Sequence, residues 1–193
     1  MELDPRYDDV PKRDVSIPID EIARHALIPA LLLLVLPVLI YLLLWGFDGF
    51  FSSVFSLPGL LAGVAGFFVL VIAHEVVHAA GWVVFGGVNP ANIRFGLDRA
   101  SLSPYAHART AMPATGYRIG AALPLFLTGV APWLAALLLG SPVLAVLGGI
   151  LISSAIGDLY VLWIIREVPG SARVLDHPSQ AGCYVLLDES SPS

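Results

Sequence analysis

The chain has 193 residues, of which 57% are hydrophobic and only 13% are charged, and its mean hydropathy is +0.82. These values exclude an ordinary soluble globular domain and favour an integral membrane protein. The net charge of -5 argues against nucleic acid as a partner, and the single cysteine, Cys183, excludes an internal disulfide and a cysteine-rich zinc module.

Residues 1–26 carry four basic side chains among many acidic ones, and three prolines interrupt the first 23 positions. This composition predicts an irregular, cytoplasmic N-terminal arm. No small-residue cleavage site follows the first apolar segment, so we expect that segment to stay as a membrane anchor.

Four apolar segments are long enough to cross the hydrocarbon core of a bilayer, which is about 30 Å thick, as helices. The segments are residues 27–45, 58–85, 119–139 and 142–165. The predicted fold is therefore an all-α membrane protein, with a four-helix transmembrane domain over residues 27–166 and a cytoplasmic tail over residues 167–193.

The basic residues predict the orientation of these helices. All ten Lys and Arg residues lie before the first segment, between the second and third segments, or after the fourth segment. Because cytoplasmic flanks are enriched in Lys and Arg, we expect a multi-pass protein of the cell membrane with both termini in the cytoplasm.

The second apolar segment contains three ionisable residues in five positions: His74, Glu75 and His78. On a helix, His74 and His78 lie one turn apart on the same face, where both imidazoles can bind one tetrahedral Zn²⁺. Glu75 would lie beside the metal and act as the general base towards a water molecule. Each ionisable group at the centre of a membrane helix costs about 2.5 to 3.5 kcal/mol on insertion scales. A bound metal would compensate for this cost at all three residues.

The next segment predicts a short β-hairpin. Residues 92–97 and 101–107 have strand-like lengths and are separated by residues 98–100. A plain connecting loop is an equally good interpretation. In the third apolar segment, Pro124 and Pro132 are candidates for a kink, and Tyr117 and Arg118 before it are interpreted as interface anchors.

The third protein ligand that a catalytic zinc requires is predicted to be Asp158, the only charged residue of the fourth segment. His74 follows Pro58 by 16 residues, and Asp158 follows Pro142 by 16 residues. Both therefore lie about 24 Å from the outer ends of two helices that run in the same direction. Gly157 is expected to let a neighbouring helix approach closely, and Ser153 and Ser154 are possible donors to the carboxylate.

Two other residues compete for a place at the metal. Asp98 follows His78 by 20 residues, a separation similar to that of the third ligand in some soluble zincins. His107 is a candidate fourth ligand or transition-state stabiliser, although an interfacial residue is the simpler interpretation. His25 and His177 are expected to be solvated.

These features together resemble the site-2 protease class of intramembrane zinc metalloproteases. A closer resemblance is to a family of small prokaryotic membrane proteins described as putative zincin peptidases. Its members carry a Gly-Asp in the last span, which matches Gly157 and Asp158, and a tail with an Asp and a Gly-x-Tyr-Val, which match Asp176 and residues 182–185. The likeness covers about residues 25–187.

One departure from the better known site-2 proteases concerns the third ligand. In those enzymes it lies in a Leu-Asp-Gly context, whereas here Gly157 precedes Asp158 and Leu159 follows it. The resemblance implies a zincin more strongly than it implies proteolysis.

The expected function is hydrolysis of peptide bonds in a membrane protein or peptide near the cytoplasmic face, with Zn²⁺ held by His74, His78 and Asp158 and with Glu75 as the base. The alternative is a membrane metal-ion transporter or metal-binding sensor, which four spans can form only by oligomerising. Haem is disfavoured, because two histidines one turn apart on one helix cannot easily take opposite axial positions. The sequence does not predict the oligomeric state.

Overall fold

A computed structural model describes residues 4–98 and 103–187 of the chain. In this part of the chain, four helices are long and apolar enough to cross a membrane: Ile19–Trp45, Leu57–Gly86, Ala114–Leu139 and Pro142–Ile164. The number of apolar helices predicted from the sequence is confirmed. The first begins eight residues earlier than predicted, and the third begins five residues earlier.

The first two long helices are α1 (Ile19–Trp45) and α3 (Leu57–Gly86), with the short helix α2 (Phe50–Val54) between them. The third long helix consists of α4 (Ala114–Pro124), a π-helical turn (Leu125–Val130) and α5 (Ala131–Leu139). The fourth consists of α6 (Pro142–Ser154) and α7 (Ile156–Ile164), which meet at Ala155.

Local sequence explains the turn between the third and fourth long helices. Gly140 ends α5 in the left-handed conformation, with φ of 62°, which glycine adopts without a steric penalty. The side chain of Ser141 then accepts a hydrogen bond from Leu144 N–H, and Pro142 occupies the first turn of α6. An N-cap serine followed by proline is a common start of a helix.

Residues 4–98 and 103–187 also contain six short strands: β1 (Lys12–Ile17), β2 (Ile93–Asp98), β3 (Ser103–Ala108), β4 (Met112–Pro113), β5 (Arg173–Asp176) and β6 (Ala181–Leu186). β2 and β3 pair antiparallel, with Ile93 opposite Ala108. This confirms the predicted hairpin, and residues 99–102, between the two strands in the sequence, lie outside the described part of the chain.

The other four strands form an antiparallel sheet in the order β1-β6-β5-β4. The sequence did not predict this sheet. β1 comes from the N-terminal arm and β6 from the C-terminal tail, with Lys12 opposite Leu186 and Ile17 opposite Ala181. The arm that was expected to be irregular therefore supplies an edge strand.

The chain divides into two compact units. The first contains Met1–Arg24, Glu75–Leu123 and Gly157–Ser193, and the second contains His25–His74 and Pro124–Ile156. The dividing point between His74 and Glu75 lies inside α3, which is one unbroken helix.

The first unit has a core of apolar side chains around Trp82, Met112, Tyr117 and Ile165. Glycines bring α3 and α4 together there. A Cβ added to Gly81 would lie 2.7 Å from Gly120 Cα, and one added to Gly116 would lie 2.5 Å from Gly86 Cα. Small residues that let helix backbones approach are typical of helix pairs in membranes.

The second unit has a smaller core around Tyr41, Phe50, Ala136 and Ala145. Polar groups also join its helices. Trp133 Nε1 donates to Pro37 O at 2.9 Å, and Ser153 Oγ donates to Ala30 O at 2.8 Å.

Candidate metal centre

Helix α3 presents two buried imidazoles on one face. His74 and His78 are each 8% exposed, and their spacing of four residues places them one turn apart. The surrounding sequence of α3 is almost entirely apolar, so the two imidazoles stand out as polar groups on the buried face of the helix.

Asp158 lies in the first turn of α7, where the positive end of the helix dipole favours a carboxylate. Its Oδ1 is 3.3 Å from His78 Nε2. One ligand atom from each of His74, His78 and Asp158 lies within 4.8 Å of the other two. The structure therefore brings the three predicted ligands together.

The distances suit a small metal ion. Zinc takes nitrogen and oxygen ligands at about 2.0–2.2 Å, so two ligand atoms of a tetrahedral site lie about 3.3–3.6 Å apart. The separation of 3.3 Å between His78 Nε2 and Asp158 Oδ1 matches that value. Two imidazole nitrogens and one carboxylate oxygen are also a donor set used by catalytic zinc.

The second nitrogen of His78 has a defined role. Nδ1 is 2.9 Å from the Gly120 carbonyl, and because a carbonyl only accepts, Nδ1 carries a proton. Helix α4 leaves this carbonyl available, since its usual donor four residues later would be Pro124, which has no N–H. Nε2 is thus the nitrogen that faces the Asp158 carboxylate, and a proton or a metal ion between these two atoms makes the contact favourable.

The π-helical turn positions a partner for His74. Thr128 Oγ1 lies 3.2 Å from His74 Nδ1 and donates its own proton to Pro124 O at 2.8 Å. The hydroxyl then accepts from His74 Nδ1–H, which leaves Nε2 for a metal. π-turns are often found at functional sites.

Glu75 is partly exposed and follows His74 directly on α3. Its charge, like that of Asp158, acts on the His78 imidazole. A carboxylate next to the ligands can accept a proton. Its role as a general base stays a prediction.

Aromatic rings support His78 from the side. The His78 ring stacks on Trp82, with centroids 5.5 Å apart and an interplanar angle of 19°. Trp82 stacks in turn on Tyr117, at 5.9 Å and 3°, and its Nε1 donates to the Tyr117 carbonyl at 3.4 Å. The orientation of the His78 ring is thus fixed by packing as well as by Gly120.

A protein family described as "Putative zincin peptidase" matches residues 67–173, which is more than half of the chain. The chain belongs to this zincin peptidase family. The matched region includes all three candidate ligands and Glu75. Neither the curated proteins nor the solved structures contain a match to the chain.

Membership of the zincin peptidase family indicates a metallopeptidase and implies zinc as the metal. Among the described residues, His74, His78 and Asp158 are the group of side chains that could hold it. Asp98, the competing candidate, is the last residue of β2, and its side chain lies outside the described part of the structure.

His107 does not belong to this group of ligands. It is 1% exposed, and its Nδ1 donates to Asp176 Oδ2 at 2.7 Å. The interpretation of His107 as an interfacial residue is wrong, because the ring is almost completely buried within the protein. His177, expected to be solvated, is also buried, and this burial lowers the pKa of its imidazole. His25 is exposed, as expected.

Other expectations for polar and small residues near the site were also wrong. Tyr117 is buried, and its hydroxyl contacts Asp176 Oδ1. Arg118 donates to the carbonyls of Ile165 and Val168, so neither residue is a simple interface anchor. A Cβ added to Gly157 would meet nothing within 4 Å, so this glycine is not needed for close helix packing.

The two serines before Asp158 bond to the backbone. Ser153 donates to Ala30 O, and Ser154 donates to Leu151 O at 2.9 Å. The sequence had also missed Trp82 and Thr128 as partners of the histidines. The sequence position of Thr128, four residues after Pro124, could have indicated a polar contact inside the protein, because a threonine in an apolar helix requires a polar partner.

Proposed function

We propose that the protein is an intramembrane zinc metallopeptidase that hydrolyses peptide bonds of membrane-associated polypeptides near the cytoplasmic face. The observation that supports this most is the approach of His78 Nε2 to Asp158 Oδ1 at 3.3 Å, with the other His78 nitrogen committed to a carbonyl. This contact needs a cation between the two atoms, and the third ligand atom offered by the nearby His74 favours a metal ion over a proton.

The membrane setting is supported by the helices. Among the described residues, four helices have the length and composition of membrane spans, and they expose large apolar side chains such as Leu43, Phe68 and Leu138. Lipid accommodates such faces, whereas water does not. Every basic residue lies before or near the start of α1, between α3 and the first turns of α4, or after α7, which supports a site nearer the cytoplasmic side.

The chain's own residues supply the following chemistry. Bound zinc would act as a Lewis acid towards a water molecule and a peptide carbonyl. His74, His78 and Asp158 hold and orient the metal, while Thr128 and the Gly120 carbonyl keep each Nδ1 protonated. The Glu75 carboxylate accepts a proton from the attacking water and delivers it to the leaving amine. The relation to the site-2 protease class is part of this proposal.

Metal binding is tested by measuring the zinc content of purified protein by elemental analysis. We expect one zinc ion per wild-type chain and at least a tenfold loss of affinity in His74→Ala and Asp158→Ala, because each removes a direct ligand. Unchanged zinc content in both variants would reject this site.

Proteolysis is tested with Glu75→Gln in cells, with Glu167→Gln as the matched control because Glu167 is an exposed carboxylate paired with Arg166. We expect Glu75→Gln to keep its zinc but to lose at least 100-fold in cleavage, in line with general acid–base contributions of about 10²–10⁴. New N-termini of membrane proteins, measured by mass spectrometry, report the cleavage. Equal cleavage by Glu75→Gln would eliminate Glu75 as the base, and zinc flux into vesicles without any cleavage would favour the transporter.

A further inference from the structure

Asp176, at the end of β5, is a buried carboxylate outside the family-matched residues 67–173. Three donors converge on it. His107 Nδ1 lies 2.7 Å from Oδ2, the Tyr117 hydroxyl lies 2.9 Å from Oδ1, and Ala108 N–H lies 3.3 Å from Oδ2. A buried carboxylate is costly unless it is hydrogen-bonded in this way, so the arrangement requires a reason.

The three donors come from two parts of the first unit. His107 and Ala108 belong to β3, and Tyr117 belongs to α4, whereas Asp176 comes from the C-terminal sheet. His107 Nε2 is buried without a hydrogen-bond partner among the described residues, so Asp176 alone holds that ring by hydrogen bonding. Asp176 thus fixes the hairpin and α4 to the C-terminal strands.

Tyr117 connects this cluster to the metal centre. Its ring stacks on Trp82 at 5.9 Å, its carbonyl accepts from Trp82 Nε1, and Trp82 stacks on His78 at 5.5 Å. The Gly182 carbonyl of β6 also lies 2.9 Å from the Tyr117 hydroxyl, so it shares the single hydroxyl proton with Asp176 Oδ1. A shift of Tyr117 would therefore be passed to the His78 imidazole through two ring contacts.

We propose that Asp176 is a positioning residue of the metal centre, which acts through Tyr117 and Trp82 on the orientation of His78. The C-terminal strands are then part of the scaffold of the site. This inference rests on the proposed function, because it assigns Asp176 a role only if His78 is a metal ligand.

Two substitutions isolate this role. Asp176→Asn keeps the size of the side chain but replaces an acceptor by an NH₂ group, so at least one of the three donors loses its partner. Tyr117→Phe removes the hydroxyl and keeps the ring that stacks on Trp82. Ser153→Ala is the matched control, since it removes one hydroxyl that donates to a carbonyl in the second unit.

The experiment measures zinc affinity by competition with a chelator in detergent, well below the unfolding midpoint of each metal-free variant. Groups that orient a ligand typically contribute 10- to 100-fold to metal affinity. We expect the zinc Kd to rise about tenfold in Asp176→Asn and about threefold in Tyr117→Phe, and to stay unchanged in Ser153→Ala. The Tyr117→Phe measurement stands even if Asp176→Asn fails to fold.

Other outcomes have distinct meanings. A wild-type Kd in Tyr117→Phe, or in both variants, would overturn the role of Asp176 and leave the zinc site intact. An equal rise in Ser153→Ala would also overturn it, because the effect would then reflect general destabilisation. Wild-type protein that binds no zinc would overturn the proposed function and this inference with it.

Discussion

The hydroxyl of Thr128 determines which nitrogen of His74 carries a proton. Thr128 lies in the π-helical turn and donates to Pro124 O at 2.8 Å, so its oxygen is left to accept from His74 Nδ1 at 3.2 Å. An imidazole held in this tautomer presents Nε2 without a rearrangement, and such outer hydrogen bonds raise the affinity of the ligand for metal.

Thr128→Val tests this arrangement, because valine keeps the shape of threonine and removes the hydroxyl. We expect the zinc Kd to rise about tenfold, since loss of an outer partner of a ligand typically costs 10- to 100-fold. Chelator competition measures the change. Thr110→Val is the control, because Thr110 is also buried and lies between β3 and β4. An unchanged Kd in Thr128→Val would show that the hydroxyl does not orient His74.

At the scale of elements, the contact between α3 and α4 sets the position of the Gly120 carbonyl. A Cβ at Gly120 would lie 2.2 Å from Trp82 Cδ1. The two helices can approach closely only because position 120 has no side chain. The same approach brings the Gly120 carbonyl to His78 Nδ1. The close packing of α3 and α4 and the hydrogen bond that orients His78 therefore have the same cause.

Gly120→Ala is therefore expected to destabilise the fold and to weaken zinc binding together. Overpacking of a tight contact costs about 1–3 kcal/mol, which thermal unfolding in detergent measures. Gly63→Ala on α3 is the control, because its Cβ would meet only Val143 at 3.9 Å, and alanine raises helix propensity. A Gly120→Ala protein as stable and as tightly zinc-binding as the Gly63→Ala protein would contradict the role of this contact.

The elements differ in how far the sequence predicted them. The four apolar helices follow from runs of apolar residues that are longer than any soluble helix requires. His74, His78 and Asp158 were predictable because ionisable residues in such runs are expensive and few. A π-helical turn follows Pro124, and the kink expected there stays a prediction.

The four-stranded sheet could not be predicted from local sequence patterns. Its longest pairing joins residues 12–17 to residues 181–186, and no local pattern encodes a contact across that separation. The strands are also four to six residues long, apart from the two-residue β4, which is too short for a clear alternation. Burial of Asp176, His107 and His177 depends on this sheet, so their environment was missed with it.

At the scale of the whole molecule, orientation in the membrane is a prediction from charge alone. All basic residues would lie on one side if both termini are cytoplasmic. The short loop around α2 would then face the outside, and the segment between α3 and β2 would face the cytoplasm. These two regions have opposite expected exposures, which a chemical label can distinguish.

Cysteine labelling tests the orientation, and the native thiol does not interfere. Cys183 is fully buried, and burial raises its pKa to about 12. The thiolate is the reactive form, and the fraction of thiolate falls as the pKa of the thiol rises. Cys183 should therefore stay unlabelled near neutral pH. We expect a membrane-impermeant maleimide to label Ser52→Cys in intact cells and Ala91→Cys only after the membrane is opened, since both positions are exposed.

The wild-type chain serves as the control and should remain unlabelled in both conditions. Labelling of Ala91→Cys but not Ser52→Cys in intact cells would invert the topology and place the metal centre nearer the outer face.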